Sequence, residues 1–182
     1  MNIAVDPFVQ LVAAGAIGIV FARAIVEKAS NFGVYAATLR DYRIIPAAFA
    51  PFVAVSLFVA EIATLFMLVL PETRAAGAMC AMGLLAVYAL AMSLALAAGR
   101  EEIECGCGGE GQIVSWGLVA RNVALIGLCA LIAAPEAPRN LSWLDHAQIV
   151  CAILVSWLVL AVVEKTIESQ AAVRRLRAQS FL

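Results

Sequence analysis

The residues best suited to chemistry in this sequence are two cysteines separated by one glycine, Cys105-Gly106-Cys107. Gly108 and Gly109 follow in the same polar stretch, and glycine adopts backbone angles that other residues avoid. A disulfide across one intervening residue needs a tightly folded backbone, and strain in so small a ring makes the bond easier to reduce. Exposed, strained disulfides exchange more readily than they cross-link permanently. The spacing therefore favours reversible thiol-disulfide exchange at Cys105 and Cys107.

A metal site and a purely structural bond are the alternatives for this pair. Thiolates at short spacing often bind zinc, but the sequence contains one histidine, His146, and no second cysteine pair in any loop. A four-ligand site cannot be assembled from this chain alone, so we predict no metal. Three further cysteines lie singly in apolar runs, where a free thiol behaves as a small buried hydrophobe. They are Cys80, Cys129 and Cys151.

Charges near the pair act in opposite directions on the thiolate. The glutamates of residues 101–110 disfavour it by repulsion, whereas Arg100 and the amino-terminal end of the following helix favour it. We assign supporting roles to Arg100, for its charge, and to Gly106 and Gly108, for the backbone freedom that a small ring requires. Glu61 and Arg121, which lie in the spans, are also counted as supporting residues.

The composition is that of a membrane protein. The 182 residues are 64% hydrophobic and 14% charged, where an average soluble domain is about half apolar and about a quarter charged. The formal net charge of -1 and the absence of a basic stripe exclude nucleic-acid binding. No Lys or Arg precedes the first apolar run, so we expect that run to be kept as a membrane span rather than cleaved as a signal peptide.

Apolar runs long enough to cross a bilayer, about 20 residues each, position the cysteine pair. Backbone groups in hydrocarbon must bond within their own segment, and no run alternates like a barrel strand, so these runs must be helices. The predicted fold class is an all-α, polytopic membrane helical bundle with a four-helix core and a fifth transmembrane helix. The expected spans of this single domain, 1–182, are residues 7–26, 44–70, 75–98, 116–134 and 146–163.

Two shorter features are expected at the membrane surface. Residues 30–43 have the pattern of an amphipathic surface segment, with apolar side chains such as Tyr35 on one side and charged ones such as Arg40 elsewhere. Ser115 is expected to cap the fourth transmembrane helix, and Trp116 to anchor it at the interface.

Charged residues also lie inside the spans. Glu61 is well inside the second span, Arg23 is near the end of the first, and Arg121 is in the first turns of the fourth. Charge within a membrane is costly and is usually paired or functional. For Glu61, an ion pair with Arg23 or Arg121 and a proton-binding or ligand-binding role are both open. For the two arginines, the alternative to pairing is that the head group reaches back to the interface.

The sequence resembles a known family over nearly its whole length. The segments that carry the resemblance are Glu27-Lys28 followed by Phe32, Asp41-Tyr42-Arg43-Ile44-Ile45-Pro46, Glu61, Cys105-Gly106-Cys107-Gly108-Gly109 and Arg121-Asn122. The chain resembles the methylamine utilisation membrane proteins of the MauE family and, more loosely, the DoxX-like families. The cysteine segment is the most specific part, although MauE proteins commonly carry Phe where this sequence has Gly108.

The resemblance implies a role in the bacterial inner membrane in maturing periplasmic methylamine dehydrogenase. The small (beta) subunit of that enzyme carries many disulfides and a tryptophan tryptophylquinone made from its own side chains. MauE proteins accompany MauD, a thioredoxin-like protein. The expected partners are thus the lipid bilayer, a MauD-type protein and the dehydrogenase small subunit.

The bundle is also similar to vitamin K epoxide reductase and its bacterial relatives, which pass electrons from a thioredoxin-like partner to quinone. Those enzymes have a Cys-x-x-Cys pair and a second, loop pair, whereas this sequence has Cys-x-Cys and no loop pair. Direct exchange between Cys105 or Cys107 and the partner is the simpler prediction. It requires no cofactor beyond the redox disulfide; electron transfer to quinone is the less favoured alternative.

Two lines of reasoning about orientation disagree. The basic residues on the cysteine side are Lys28, Arg40, Arg43, Arg100, Arg174, Arg175 and Arg177, against Arg74 and Arg139 on the other side. The positive-inside rule would place the larger group, and the cysteine pair with it, in the cytoplasm. Persistent disulfides, however, form outside the reducing cytosol. We predict that the Cys105 loop faces the periplasm.

Two main hypotheses follow. In the first, the chain is a thiol-disulfide oxidoreductase component that forms or rearranges disulfides in the dehydrogenase small subunit. In the second, it is a non-catalytic membrane scaffold that anchors and stabilises the maturation partner, and the cysteine bond shapes the docking loop. A third hypothesis, a small-molecule or ion pathway around Glu61, has only one carboxylate in its support.

Overall fold

The chain folds almost entirely into helices. The computed structural model describes residues 4–100 and 114–179. In those residues the α-helices are α1 Pro7–Ser30, α2 Phe32–Asp41, α3 Ala50–Val69, α4 Arg74–Ala97, α5 Trp116–Ala133 and α6 Trp143–Gln179. Within the described part of the chain, α1, α3, α4, α5 and α6 are long and apolar enough to cross a membrane, and no strand is present. The predicted all-α membrane bundle is confirmed, whereas the likeness to vitamin K epoxide reductase stays a prediction.

The first and last of these helices extend beyond the apolar runs that locate them. The run at 7–26 ends before Glu27, yet α1 continues through Lys28 to Ser30. The run at 146–163 ends before Glu164, yet α6 continues unbroken to Gln179. Both extensions place an ionisable residue inside the bundle, because Lys28 is 1% exposed and Glu164 is 8% exposed.

Consecutive transmembrane helices run in opposite directions. Val5, just before α1, bridges to Glu136, just after α5, which places the start of α1 beside the end of α5. The carboxyl-terminal ends of α1 and α4 and the amino-terminal end of α5 therefore lie at the other end of the bundle. We call that end the cysteine face, because residues 101–113 connect α4 to α5 there; the end that carries Val5 and Glu136 is the opposite face.

Helices α1, α3, α4 and α5 form the four-helix core. Helix α4 packs between α3 and α5, and α1 closes the ring by contacting the same two neighbours. Helix α6 leans mainly on α1 and presents most of its apolar surface outward. The largest buried cluster is rich in small side chains and comprises Ala13, Ala14, Ile17, Phe21, Leu68, Ala78, Ala81, Leu85, Leu125, Cys129 and Ile132.

Two glycines mark where helices approach most closely. A Cβ on Gly77 would lie 2.8 Å from the backbone nitrogen of Leu68, so α4 passes directly over the end of α3. A Cβ on Gly15 would lie 2.3 Å from Cδ1 of Ile153, where α1 meets α6. Close backbone contact at small residues is how helices pack in bilayers, where apolar burial alone gives little driving force.

The amphipathic segment predicted between the first two spans is confirmed as α2. Tyr35, Ala36 and Thr38 form its buried side and Arg40 is exposed. Its apolar side packs against Ala54 of α3. Helix α2 thus covers part of the bundle at the cysteine face.

Candidate functional site

The predicted redox pair, Cys105 and Cys107, lies outside the described residues, as do Gly106 and Gly108. What the structure places is the attachment of this segment at both ends. Before it, α4 ends at Ala97, and Gly99 follows with a φ of +71°, in the left-handed region that favours glycine just after a helix end.

Arg100, predicted to support the pair, is tied to the bundle. Its backbone N–H donates to the carbonyl of Ala95 at 3.0 Å, and its Nη1 donates to the carbonyl of Tyr42 at 2.7 Å. The second bond connects the end of α4 to the end of α2. Arg100 therefore positions the start of the cysteine segment at the cysteine face.

The other end of the segment is held by apolar packing. Val114 is 3% exposed and belongs to a buried cluster with Tyr42, Met92, Ala95 and Leu118. Tyr42 contributes to both anchors, through its carbonyl to Arg100 and through its side chain to this cluster. Both ends of the cysteine segment are consequently fixed over the same part of the bundle.

Ser115 occupies the N-cap position of α5, as predicted, but its side chain makes no capping hydrogen bond. Its carbonyl accepts the first helical bonds from the backbone N–H groups of Leu118 and Val119. Ser115 therefore ends the segment through its extended backbone, and the predicted side-chain cap was wrong. Trp116 is 61% exposed, as an interfacial anchor would be.

Glu61 lies in a buried ion pair, but with a different partner from the two predicted. Lys28 Nζ donates to Glu61 Oε1 and to the hydroxyl of Tyr88 at 3.2 Å, and that hydroxyl donates to Glu61 Oε1 at 2.6 Å. Lys28 and Glu61 are each 1% exposed. We call Lys28, Glu61 and Tyr88 the first charge cluster; the predicted pairing of Glu61 with Arg23 or Arg121 was wrong.

Aromatic rings complete the surroundings of the Lys28 ammonium. Nζ lies 4.8 Å from the centroid of the Tyr35 ring and 4.9 Å from that of Tyr88. Both distances are within the range of a cation–π attraction, which is stronger where water is excluded. Lys28 was missed as a partner because its position after Glu27 resembles the polar end of a span. Helical side chains lean toward the amino terminus, and this direction returns Lys28 to the bundle interior.

The two arginines share the carboxylate of Glu164, which lies one residue beyond the predicted fifth span. Arg121 Nη1 donates to Glu164 Oε1 at 2.6 Å, and Arg23 Nη1 donates to Glu164 Oε2 at 2.5 Å. We call Arg23, Arg121 and Glu164 the second charge cluster. The Arg121 side chain is 7% exposed, so this arginine is paired inside the bundle and does not reach back to the interface. The Arg23 side chain is 46% exposed and remains partly at the surface.

The three cysteines within the spans occupy different environments. Cys129 is fully buried in the core, as predicted. Cys80 and Cys151 are exposed on the outer surface of the bundle, so the prediction of burial was wrong for both. Each of the two lies on a side of its helix that the bundle leaves uncovered. All three are free thiols.

A separate ionic network fastens the opposite face. Arg139 donates to Asp6 Oδ2 and to Asp145 Oδ1, each at 2.8 Å. Asp6 also caps α1 by accepting from the backbone N–H of Phe8 at 2.9 Å. The hydrogen bond from Arg139, followed by that from Phe8, lowers the pKa of the Asp6 carboxyl below its ordinary value. This network joins the starts of α1 and α6 at the end of the bundle opposite the cysteine face.

Comparison with known proteins identifies one family that the chain matches. A family profile described as "Methylamine utilisation protein MauE" matches residues 6–135. The chain is 34% identical over 119 residues to "Methylamine utilization protein MauE" of Paracoccus denitrificans, covering 64% of each chain. It is 33% identical over 135 residues to the protein of that name from Paracoccus versutus, covering 71% of this chain and 73% of the relative.

A third relative of the same name, from Methylorubrum extorquens, is 31% identical over 144 residues. The alignment covers 76% of this chain and 76% of the relative. The match thus spans a little less than two thirds of the Paracoccus denitrificans protein and about three quarters of the other two. No solved structure matches the chain.

Proposed function

The chain belongs to the MauE family of methylamine utilisation proteins, and from this premise we propose that it supports maturation of the methylamine dehydrogenase small subunit. Its part in that process is thiol-disulfide exchange at Cys105 and Cys107, together with a thioredoxin-like MauD-type partner. The protein works from the bacterial inner membrane. Through the disulfides it supports, it also serves tryptophan tryptophylquinone biogenesis.

The observation that carries the proposal is the anchoring of the cysteine segment at both ends. Arg100 is bonded to the Tyr42 carbonyl, and Val114 is packed in a buried cluster at the same face. Its two attachment points, Arg100 and Val114, therefore lie at one end of the bundle, where a soluble partner can approach. Exchange requires that access, since it proceeds through attack of a thiolate on a disulfide sulfur.

The exchange can be written without an additional cofactor. Two thiols of the dehydrogenase small subunit lose two protons and two electrons and become one disulfide. The Cys105–Cys107 disulfide accepts those electrons and protons and becomes a dithiol, through a mixed disulfide between the proteins. The oxidised, disulfide form of the thioredoxin-like partner then re-forms the Cys105–Cys107 bond and is itself reduced. Quinone has no part in this scheme.

Replacing either cysteine tests the proposal. We expect Cys105→Ser and Cys107→Ser to abolish the production of active dehydrogenase when each is co-expressed with the partner and the small subunit. One of the two should also accumulate as a mixed disulfide on non-reducing gels, because it lacks the resolving thiol. Cys80→Ser and Cys151→Ser are matched controls, since both are exposed free cysteines within the spans.

A scaffold role gives the opposite result in the same experiment. If both serine variants, present at wild-type level, still yield active dehydrogenase and neither traps a partner, then exchange at this pair is excluded. The chain would then act by anchoring the maturation partner.

We further propose that the cysteine face is periplasmic, because a disulfide that must persist would be reduced in the cytosol. The distribution of Lys and Arg favours the reverse, so a direct measurement has to decide. A membrane-impermeant maleimide should label reduced Cys105 and Cys107 in intact inner-membrane spheroplasts. Labelling that begins only after the membrane is broken would place the pair in the cytoplasm.

A further inference from the structure

A small cavity lies between the two charge clusters. Its lining residues come from α1, α3, α4 and α5, and its volume is about 20 Å³. Its lining includes Val20, Ala24, Glu61, Leu85, Tyr88 and Arg121. About 10–15 Å³ of such space is enough for one water molecule, and a lipid chain or a larger solute does not fit.

Two buried polar atoms of the lining residues lack a hydrogen-bond partner among the described residues. They are Oε2 of Glu61 and Nε of Arg121. The other polar atoms of these side chains have partners. Glu61 Oε1 accepts from Lys28 and Tyr88, Arg121 Nη1 donates to Glu164, and Arg121 Nη2 donates to Asn122 Oδ1 at 3.3 Å. Buried polar atoms are almost always satisfied by protein or by ordered water, and leaving them unsatisfied is costly.

We propose that one water molecule occupies this cavity, accepting a hydrogen bond from Arg121 Nε and donating one to Glu61 Oε2. The charges favour water over an ion, because Glu61 would repel an anion and Arg121 would repel a cation. Water also matches the pair of atoms, since one is a donor and the other an acceptor.

The water joins the two charge clusters into one hydrogen-bonded network. On one side of it are Lys28 and Tyr88, bonded to Glu61, and on the other is Glu164, bonded to Arg121. Hydrogen bonds in such chains polarise one another, and they are stronger where the surroundings are apolar. The site therefore couples α3 and α4 to α5 and α6 through a single solvent molecule.

Nuclear magnetic resonance can detect this water directly. The full-length protein would be labelled with ¹⁵N-arginine, placed in nanodiscs of deuterated lipid, and its Arg121 Nε–H signal assigned through the bonds of that side chain. We expect a cross-relaxation peak between this hydrogen and water. An assigned Arg121 signal without a water peak means that the cavity is dry, and the proposal is then wrong.

A cavity-filling variant shows where the water lies. Ala24 is 7% exposed and lines the cavity, so Ala24→Val places two methyl groups in the space and should remove the water peak. Ala29→Val is the matched control, because Ala29 is exposed on the same helix, and it should keep the peak. A peak that persists in folded Ala24→Val would assign the water to another place and overturn the proposal.

Diffraction or electron microscopy at about 2 Å resolution provides a test that needs no variant. Density for one water molecule within hydrogen-bond distance, about 3.2 Å, of both Glu61 Oε2 and Arg121 Nε is the expected result. An empty cavity at that resolution would contradict it.

Discussion

The buried pair of Lys28 and Glu61 should be one of the most sensitive points in the bundle. Each residue is 1% exposed, and α1 and α3 are joined by their contact. Replacing one partner strands the charge of the other in apolar surroundings, and removing one member of a buried pair typically costs about 3–5 kcal/mol. In a domain of this size about 1 kcal/mol corresponds to about 2–4 °C, so Glu61→Gln and Lys28→Met should each lower the Tm by about 6–20 °C.

Three further variants separate charge from packing. The double variant Lys28→Met with Glu61→Gln strands no full charge, so it should recover a large part of the loss shown by either single variant. Tyr88→Phe removes the hydrogen bonds of this hydroxyl with Glu61 and Lys28 but strands no charge, because Lys28 and Glu61 still bind each other, so it should cost less, about 1.5–3 kcal/mol. Arg40→Met is the control, because Arg40 is exposed on α2 and its replacement should change the Tm little.

The assay is thermal unfolding in detergent or nanodiscs, followed by tryptophan fluorescence, with dehydrogenase maturation measured at equal protein levels. We expect Glu61→Gln to lose stability while the protein that remains folded still supports maturation. The reasoning is refuted if the single variants unfold at the wild-type temperature or if the double variant loses as much as the two singles added together. A stable Glu61→Gln protein without maturation activity would assign Glu61 a functional role.

Two other features give predictions of the same kind. The bond from Arg139 lowers the pKa of Asp6, so the ionised carboxylate stabilises the folded state. This contribution is fully present above the ordinary pKa of 3.8 and is lost as the pH falls through the lowered pKa. Arg139→Gln should therefore weaken the dependence of Tm on pH between about 5 and about 2, and an unchanged acid limb would contradict this. Gly77→Ala should lower the Tm, since its Cβ would lie 2.8 Å from the backbone nitrogen of Leu68, and such overpacking costs about 1–3 kcal/mol. Gly83→Ala, which has no atom within 4 Å of its Cβ, should be neutral or stabilising, and equal losses for the two alanine variants would argue against close packing at Gly77.

The number and order of the membrane helices could be predicted from hydropathy, because lipid imposes a minimum apolar length on every crossing. The same criterion located their ends less well. Hydropathy ends a predicted span at the first charged residues. The predicted spans therefore stop before Lys28 and Glu164, although both side chains are buried. A charge can remain in the bundle when another helix supplies its partner, and that partner is not visible along a single helix.

The charged pairs and the cysteines both show that the sequence does not determine which side of a membrane helix faces the bundle interior. An ion pair was one of two roles left open for Glu61, and its partner is Lys28 rather than Arg23. That choice depends on the rotation and tilt of α1, which composition does not determine. Cys80, Cys151 and Cys129 have similar neighbours in sequence, yet the first two are exposed and the third is buried. In a membrane the outside is as apolar as the inside, so periodicity does not distinguish the two faces.

The charge clusters also bear on how the chain is synthesised. Helix α1 enters the membrane carrying Arg23 and Lys28, and the partner of Lys28 arrives only with α3. The carboxylate that binds Arg23 and Arg121 arrives last, with α6. Until α6 is made, Arg23 of α1 and Arg121 of α5 lack this carboxylate, and their side chains must stay near the lipid head groups. Insertion of α6 therefore completes the pairing of charges on α1 and α5. A chain that ends before α6 would leave Arg23 and Arg121 without this carboxylate, which would make it a target of membrane quality control.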